Sequence, residues 1–297
     1  MTARSFELLV NPFAGQPAAA GRGIEVARHL REAGAAVTVT HTQSAEHASQ
    51  LATEATARRS VVVAVGGDGT VGALAGVVAR ASGILGVVPV GRGNDFARQL
   101  GIPGDVGPVV DLLLSGPVRS VDVIDVGGQI VLGSVYAGID SLTSALVNRV
   151  HRLPAKLQYP VAAVWAIATH RSTGYRLVID GVSQSVDAHT VIVANSGYYG
   201  SGMHVAPAAE IDDGLLNIVI FASAGRLRLL QALRRIYSGT HVHLPEVTVQ
   251  TARVVAIDSV GPVDAYADGD RIGPLPVGVF VRPGALNVIA PGRTDTD

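Results

Sequence analysis

The first half of the chain alternates short apolar runs with longer amphipathic stretches. Phe6-Glu7-Leu8-Leu9-Val10, Ala36-Val37-Thr38-Val39-Thr40, Val61-Val62-Val63-Ala64-Val65 and Ile84-Leu85-Gly86-Val87-Val88 have the length and apolar composition of strands, the third of them buried on both faces. Between them, Ala20 to Ala33 carries Ile24, Ala27 and Leu30 on one helical face with Gly34 as a stop, and a second helix is expected near Ala45 to Arg58. A short helix follows over Phe96 to Leu100. Strands and helices alternating at this spacing imply a parallel sheet with right-handed crossovers. After Leu112-Leu113-Leu114-Ser115-Gly116 the pattern changes. Val118 to Val126, Gln129 to Tyr136, Tyr175 to Asp180, Thr190 to Ala194, Leu215 to Phe221 and Val247 to Val249 read as strands with short turns, interrupted by helices near Leu142 to Arg152 and Leu157 to Arg171. The expectation is an N-terminal α/β domain over residues 1–124, which the C-terminal end 287–297 can rejoin. An antiparallel β-sandwich domain is expected over 125–286.

Composition narrows the function. The 297 residues are 48% hydrophobic with a formal net charge of −1, so no global charge draws the chain to nucleic acid. Aromatic residues make up only 4%, too few for base-stacking platforms. Cysteine is absent, which excludes disulfides and thiolate metal sites and fits a reducing compartment. The start runs directly into strand-like sequence without an apolar signal segment. Pro160 to Thr169, the longest uncharged apolar candidate, is about half the roughly 18 residues of a spanning helix, so membrane contact is expected to be peripheral. Lys156 is the only lysine, so the Gly-Lys-Ser/Thr of a P-loop is missing and arginine or metal must meet phosphate charge.

In open parallel sheets ligands sit beyond the carboxyl ends of the strands, which brings together three glycine-bearing loops: Asn11 to Gly15, Gly66 to Thr70, and Gly91 to Asp95. Gly66, Gly67 and Gly69 allow backbone N–H groups to approach an anion, and the following helix points its positive end at the same place. The same glycines are also consistent with tight packing alone. Asp68 would repel phosphate, so it implies Mg²⁺ or a hydroxyl that it accepts from. Asn94 and Asp95 read either as ligand groups or as helix caps. Two acidic segments stand out in the second half. Glu210-Ile211-Asp212-Asp213-Gly214-Leu215 offers hard oxygen ligands for Mg²⁺ or simply a turn. Asp264-Ala265-Tyr266-Ala267-Asp268-Gly269-Asp270 contains a hairpin signal at Asp268-Gly269.

Gly66-Gly67-Asp68-Gly69-Thr70 resembles the nucleotide loop shared by diacylglycerol-type lipid kinases, NAD kinases and phosphofructokinases. With Asn11-Pro12-Phe13-Ala14-Gly15 before it and Gly91-Arg92-Gly93-Asn94-Asp95-Phe96-Ala97-Arg98 after it, the chain resembles the catalytic domain of diacylglycerol kinases, closest to the soluble bacterial members and related to sphingosine kinases. Together with the closing Pro283-Gly284-Ala285-Leu286-Asn287-Val288-Ile289-Ala290-Pro291, the likeness covers nearly the whole chain. It implies ATP and Mg²⁺ as cofactors and a lipid alcohol, most simply diacylglycerol, as acceptor. It implies that Asn11, Thr42, Gly66, Gly67, Asp68, Gly69, Thr70, Arg92, Asn94 and Asp95 hold the nucleotide, with Arg92 standing where a hydroxyl residue is usual. It further implies a Mg²⁺ held by Asp213 and main-chain oxygens of Glu210 and Leu215. The proton acceptor would be Asp270, where the family has Glu, with Asp68 as its catalytic companion.

Arg226-Leu227-Arg228-Leu229-Leu230-Gln231-Ala232-Leu233-Arg234-Arg235-Ile236-Tyr237 reads as a basic amphipathic helix that either packs on the protein's own sheet or lies on an anionic bilayer. The expected location is cytoplasmic, peripheral at the inner membrane face, with a homodimer left open. The alternatives are a kinase of a soluble substrate such as NAD, disfavoured because no Asn-Glu segment of that kind occurs mid-chain, and a catalytically weak lipid-binding relative.

Overall fold

The structure, a computed structural model, describes residues 4–11, 17–147 and 155–293, without the side chains of 17–20 and 155–160. Pro12 to Gly15 of the first loop, the end of the helix expected over 142–152, and the tail beyond Arg293 lie outside the described residues.

In chain order the first elements are β1 (Ser5–Val10), α1 (Pro17–Glu32), β2 (Ala36–His41), α2 (Ala45–Ala57), β3 (Val61–Gly66), α3 (Asp68–Arg80), β4 (Ile84–Pro89), α4 (Asp95–Gln99) and α5 (Val106–Ser115). They match the periodicity closely, except that α5 adds a helix where only an apolar run was noted. There follow β5 (Val118–Val126), β6 (Gln129–Val131), β7 (Ser134–Gly138), α6 (Ile139–Val147), α7 (Ala155–Thr169), β8 (Thr173–Ile179), β9 (Val182–Ala194), β10 (Tyr198–Tyr199), β11 (Met203–His204) and β12 (Leu216–Ala222). The last are α8 (Arg226–Ile236), β13 (Val247–Ala252), β14 (Val254–Ser259), β15 (Asp264–Ala267), β16 (Asp270–Pro274) and β17 (Val277–Ile289). The single strand expected over Gln129 to Tyr136 is thus two. Neither β14 nor most of β17 was legible, because both mix exposed and buried positions without a clean period.

The chain divides into two compact units, residues 1–123 with 283–297, and residues 124–282. In the first, β2, β1, β3, β4 and the end of β17 lie side by side, all parallel. Phe6, Leu8, Val61, Val63 and Val65 pack with Leu30 of α1, Leu113 of α5 and Ile289. Leu9, Val62 and Ala64 are also fully buried, so both faces of the sheet are covered. That explains the unbroken apolar runs, each buried Leu or Val contributing about 1.5–3 kcal/mol.

The second unit is antiparallel, with β7, β9, β12 and β13 paired in ladders. Its strands also face two cores. Val135, Val191, Val193, Ile218 and Ile220 turn to one. Tyr136, Ile192, Ala194, Val219 and Phe221 turn to the other, where Ala232 and Ile236 of α8 close over them. The amphipathic α8 therefore packs on the protein's own sheet through Leu229, Ala232 and Ile236.

Candidate active site

In the first unit, β1 connects to β2 on one side and β3 lies on the other, so the order reverses between β1 and β3. Ligand crevices form at such reversals, outside the carboxyl ends of the strands. Asn11 ends β1 and the Gly66 loop ends β3 at this place, and Asn11 Nδ2 donates to Thr70 Oγ1 at 3.4 Å. A Cβ on Gly66 would lie 2.6 Å from that hydroxyl, so glycine is required for Thr70 to fold back against the strand end. Thr42, buried at the end of β2, donates its hydroxyl to Val10 O at 3.3 Å. This aligns the three strand ends.

The loop after β4 meets the loop after β3 backbone to backbone. A Cβ on Gly91 would overlap Gly67 Cα, and one on Gly67 would lie 3.0 Å from Gly91 Cα. Asn94 is the device that holds this approach. It adopts a left-handed backbone, φ 51°, and its amide clasps Gly91 from both sides, Gly91 N donating to Oδ1 at 2.8 Å and Nδ2 donating to Gly91 O at 2.9 Å. The capping expectation is corrected here: Asn94 occupies the N-cap position of α4 without capping it. Asp68 instead accepts the N–H of Phe96 in the first turn of α4, at 3.4 Å. Asp95 is buried and within 3.9 Å of Arg98 Nε, while Arg92 is exposed.

Gly67 gives α3 no side-chain cap, and the first helical bond runs from Val71 N to Gly67 O. The N–H groups of Asp68, Gly69 and Thr70 precede that bond and point out of the helix end, which carries a partial positive charge. Such an end suits a phosphate.

In the second unit, Asp268 and Gly269 have φ of 47° and 100°, the two positive values of the hairpin turn expected from that dipeptide. Ala267 and Asp270 face each other across it. The two aspartates have separate situations. Asp268 accepts the N–H groups of Leu132, Gly133 and Ser134 at 2.8 to 3.2 Å, fixing the start of β7. Asp270 opens β16 and is exposed. Asp213 accepts from Leu215 N at 2.8 Å in the turn before β12, and Gly214 has φ 73°. The described residues hold no group of three His, Cys, Asp or Glu side chains that could bind a metal. The donor set expected there, one carboxylate with main-chain carbonyl oxygens, is hard-oxygen chemistry of a different kind from a side-chain cluster.

Sequence reasoning missed a pocket in this unit. It is a half-open pocket between the sheet and the helices α6, α7 and α8, about 540 Å³ of non-atom space when the open solvent at its mouth is included. Most of its wall is apolar, including Ile139, Ala163, Ile167, Ile192, Phe221 and Leu233, and its polar groups are Asp140, Thr143, His189, Thr190 and Tyr199. Asp140 lies in the first turn of α6, and the Tyr199 hydroxyl donates to its Oδ1. Burial pushes the Asp140 carboxyl above the usual carboxylate range, opposed by hydrogen bonds from Tyr199 and Thr190. Gly138 sets the turn from β7 into α6 at φ 116°, where a Cβ would overlap His189 O and lie 2.9 Å from Thr190 Cα. A signal was present: Gly138-Ile139-Asp140 puts one carboxylate between an apolar strand and a helix.

Residues 5–126 match the profile of the diacylglycerol kinase catalytic domain, and residues 133–290 that of the YegS C-terminal NAD kinase beta sandwich-like domain. The chain belongs to the diacylglycerol kinase family. A Mycobacterium tuberculosis (strain ATCC 25618 / H37Rv) protein named diacylglycerol kinase is 33% identical over 291 residues, 95% of this chain and 94% of that one. The Bacillus subtilis (strain 168) diacylglycerol kinase is 26% identical over 280 residues, 93% and 92% of the two chains. Among solved structures, a diacylglycerol kinase from Bacillus anthracis str. Sterne superposes with a TM-score of 0.75 at 21% identity, covering 98% of both chains. That likeness bears out the α/β domain followed by a β-sandwich. This family member is a kinase, as its motifs led us to expect.

Proposed function

We propose that this kinase transfers the γ-phosphoryl group of ATP to the hydroxyl of a lipid alcohol, with diacylglycerol as acceptor and phosphatidic acid as product. The observation that carries the acceptor class is the pocket of the β-rich unit, apolar along most of its wall with polar groups gathered around Asp140. A lipid alcohol has that polarity, whereas a dinucleotide would leave its charged groups against Ile192, Phe221 and Leu233.

In this reading Gly66, Gly67, Gly69 and Thr70 hold phosphate oxygens through backbone N–H groups at the start of α3. Asn11 and Thr42 line the neighbouring strand ends, Asn94 keeps the two loops together, and Arg92 supplies a cation to the triphosphate. Mg²⁺, when bound, supplies charge neutralisation on the phosphates, with Asp68 and Asp95 as the carboxylates suited to it. A second Mg²⁺ would be held by Asp213 and the carbonyls of Glu210 and Leu215. Asp270 accepts the proton of the lipid hydroxyl as its oxygen bonds to the γ-phosphorus and the bond to the ADP oxygen breaks. Asp140 and Tyr199 hold the polar end of the acceptor. Positioning and charge neutralisation provide most of the acceleration.

Incubation with radiolabelled ATP and a total lipid extract, with NAD in a parallel reaction, tests this. The expected result is label in a lipid, diacylglycerol competing for it, and none in NAD. Label in NAD alone would overturn the acceptor class, and full activity of Asp270→Asn would overturn the base assignment.

A further inference from the structure

β9 changes partners where it passes the pocket. Thr190 pairs with Gly138 of β7, and Ala188 pairs with Thr173 of β8. Against β12 the register shifts at the same point, Phe221 facing Thr190 and Ala222 facing Ala188, so His189 is the extra residue of a β-bulge. Ala188 and Val191 both turn to one core. Strict alternation would send only one of the residues between them to the opposite face, yet His189 and Thr190 both line the pocket, together with Asp140.

The bulge thus brings an imidazole to the polar end of an apolar pocket. His189 is 5% exposed, and its Nε2 lies 2.9 Å from Ala224 O. A carbonyl only accepts, so Nε2 carries the hydrogen and, in the neutral ring, Nδ1 is a bare acceptor. Nδ1 has no partner among the described residues, and the His170 ring, 5.7 Å away, supplies none. The other polar groups of the wall are engaged: Thr190 donates to Ala137 O at 3.0 Å, Thr143 donates to Ile139 O at 2.9 Å, and Tyr199 donates to Asp140. Among the described lining residues, His189 Nδ1 is therefore the buried polar atom that lacks a donor. Buried acceptors are normally met, and here the donor has to come from what enters the pocket.

We propose that His189 sets acceptor specificity, its Nδ1 taking a hydrogen bond from a second hydroxyl on the lipid head, vicinal to the hydroxyl that is phosphorylated. Ester oxygens only accept. Diacylglycerol has one hydroxyl, the reacting one, and so leaves Nδ1 unmet, whereas a glycerolipid with two neighbouring free hydroxyls satisfies it. Diacylglycerol is then an acceptor and the vicinal diol a better one. This inference rests on the lipid-kinase reading of the pocket and names its acceptor more closely.

The test compares two esters in detergent micelles with radiolabelled ATP: monooleoylglycerol, and trimethylene glycol monooleate, which is the same ester without the middle hydroxyl. The parent should favour monooleoylglycerol by at least about tenfold in kcat/KM, because a site built to bind a hydroxyl rejects the analogue that lacks it. His189→Phe fills the space of the ring without an acceptor and should bring the ratio close to one. Structural damage lowers both esters alike and leaves the ratio where it was, so the ratio separates recognition from folding. His189→Gln can still donate to Ala224 O and has no ring nitrogen at the Nδ1 position; it carries the same expectation if the phenylalanine variant does not fold. Equal kcat/KM for the two esters in the parent, as when a water meets Nδ1, would overturn the inference and leave the lipid-kinase reading standing. A ratio that survives the loss of the imidazole would do the same. Phosphorylation of neither ester, nor of diacylglycerol, would remove the lipid-kinase reading and this inference with it.

Discussion

Gly91, Asn94 and Asp140 show how single residues set the chemistry. Gly91→Ala would drive a methyl group into Gly67 Cα, a backbone atom that cannot rotate away. The expected cost is about 1–3 kcal/mol of stability with weakened nucleotide binding, read by denaturant unfolding and nucleotide titration. Asn94→Ala should cost a similar amount, because it removes both amide bonds to Gly91 and puts a residue disfavouring positive φ at this turn. Asp140 gives a pH signature. In the unfolded chain it ionises near the ordinary value of 3.8, while the folded site keeps it protonated to higher pH. Its contribution is thus fully present below about pH 4 and is lost as pH rises toward the raised folded value. Asp140→Asn cannot ionise, so the melting temperature of the variant relative to the parent should climb with pH across that window.

At the scale of elements, the ends of α3 and α4 are joined by Asp68, which starts one helix and caps the other. Asp68→Asn keeps an oxygen that can accept from Phe96 N but removes the charge. Stability should stay within about 1 kcal/mol of the parent. Turnover should fall by about a hundredfold or more, since phosphate and metal respond to charge; single-turnover kinetics beside thermal melts separates the two effects. The strands, helices and the Asp268-Gly269 hairpin were readable because neighbouring residues carry their own periodicity and turn chemistry. The break of 129–136 into two strands was not, since it depends on Asp268 gathering three N–H groups from a distant turn.

For the whole molecule, nucleotide that binds only the folded chain must stabilise it. ATP with Mg²⁺ at about a hundredfold excess over Kd should add about 2.7 kcal/mol, seen as a raised unfolding temperature that grows with ligand concentration. An unchanged temperature at saturating concentrations would contradict the assignment of the Gly66 loop. The pocket escaped sequence reading because its lining comes from α6, α7, β9, β10, β11, β12 and α8, most of them contributing residues that look like ordinary core.

The sequence by itself determined the alternation of strand and helix, the change to a β-rich second half, the glycine loops at strand ends and the family they mark. These are written in local spacing, which acts before any long-range contact forms. Only the tertiary structure decided that Gly67 and Gly91 touch, that Asn94 clasps a backbone instead of capping a helix, and that Asp140 meets Tyr199 from 59 residues away. Among the described residues, it alone left Val161, Val164 and Trp165 of α7 exposed. Each of these depends on which distant segments share a sheet, a choice made by burying whole faces together and not by any short run of residues.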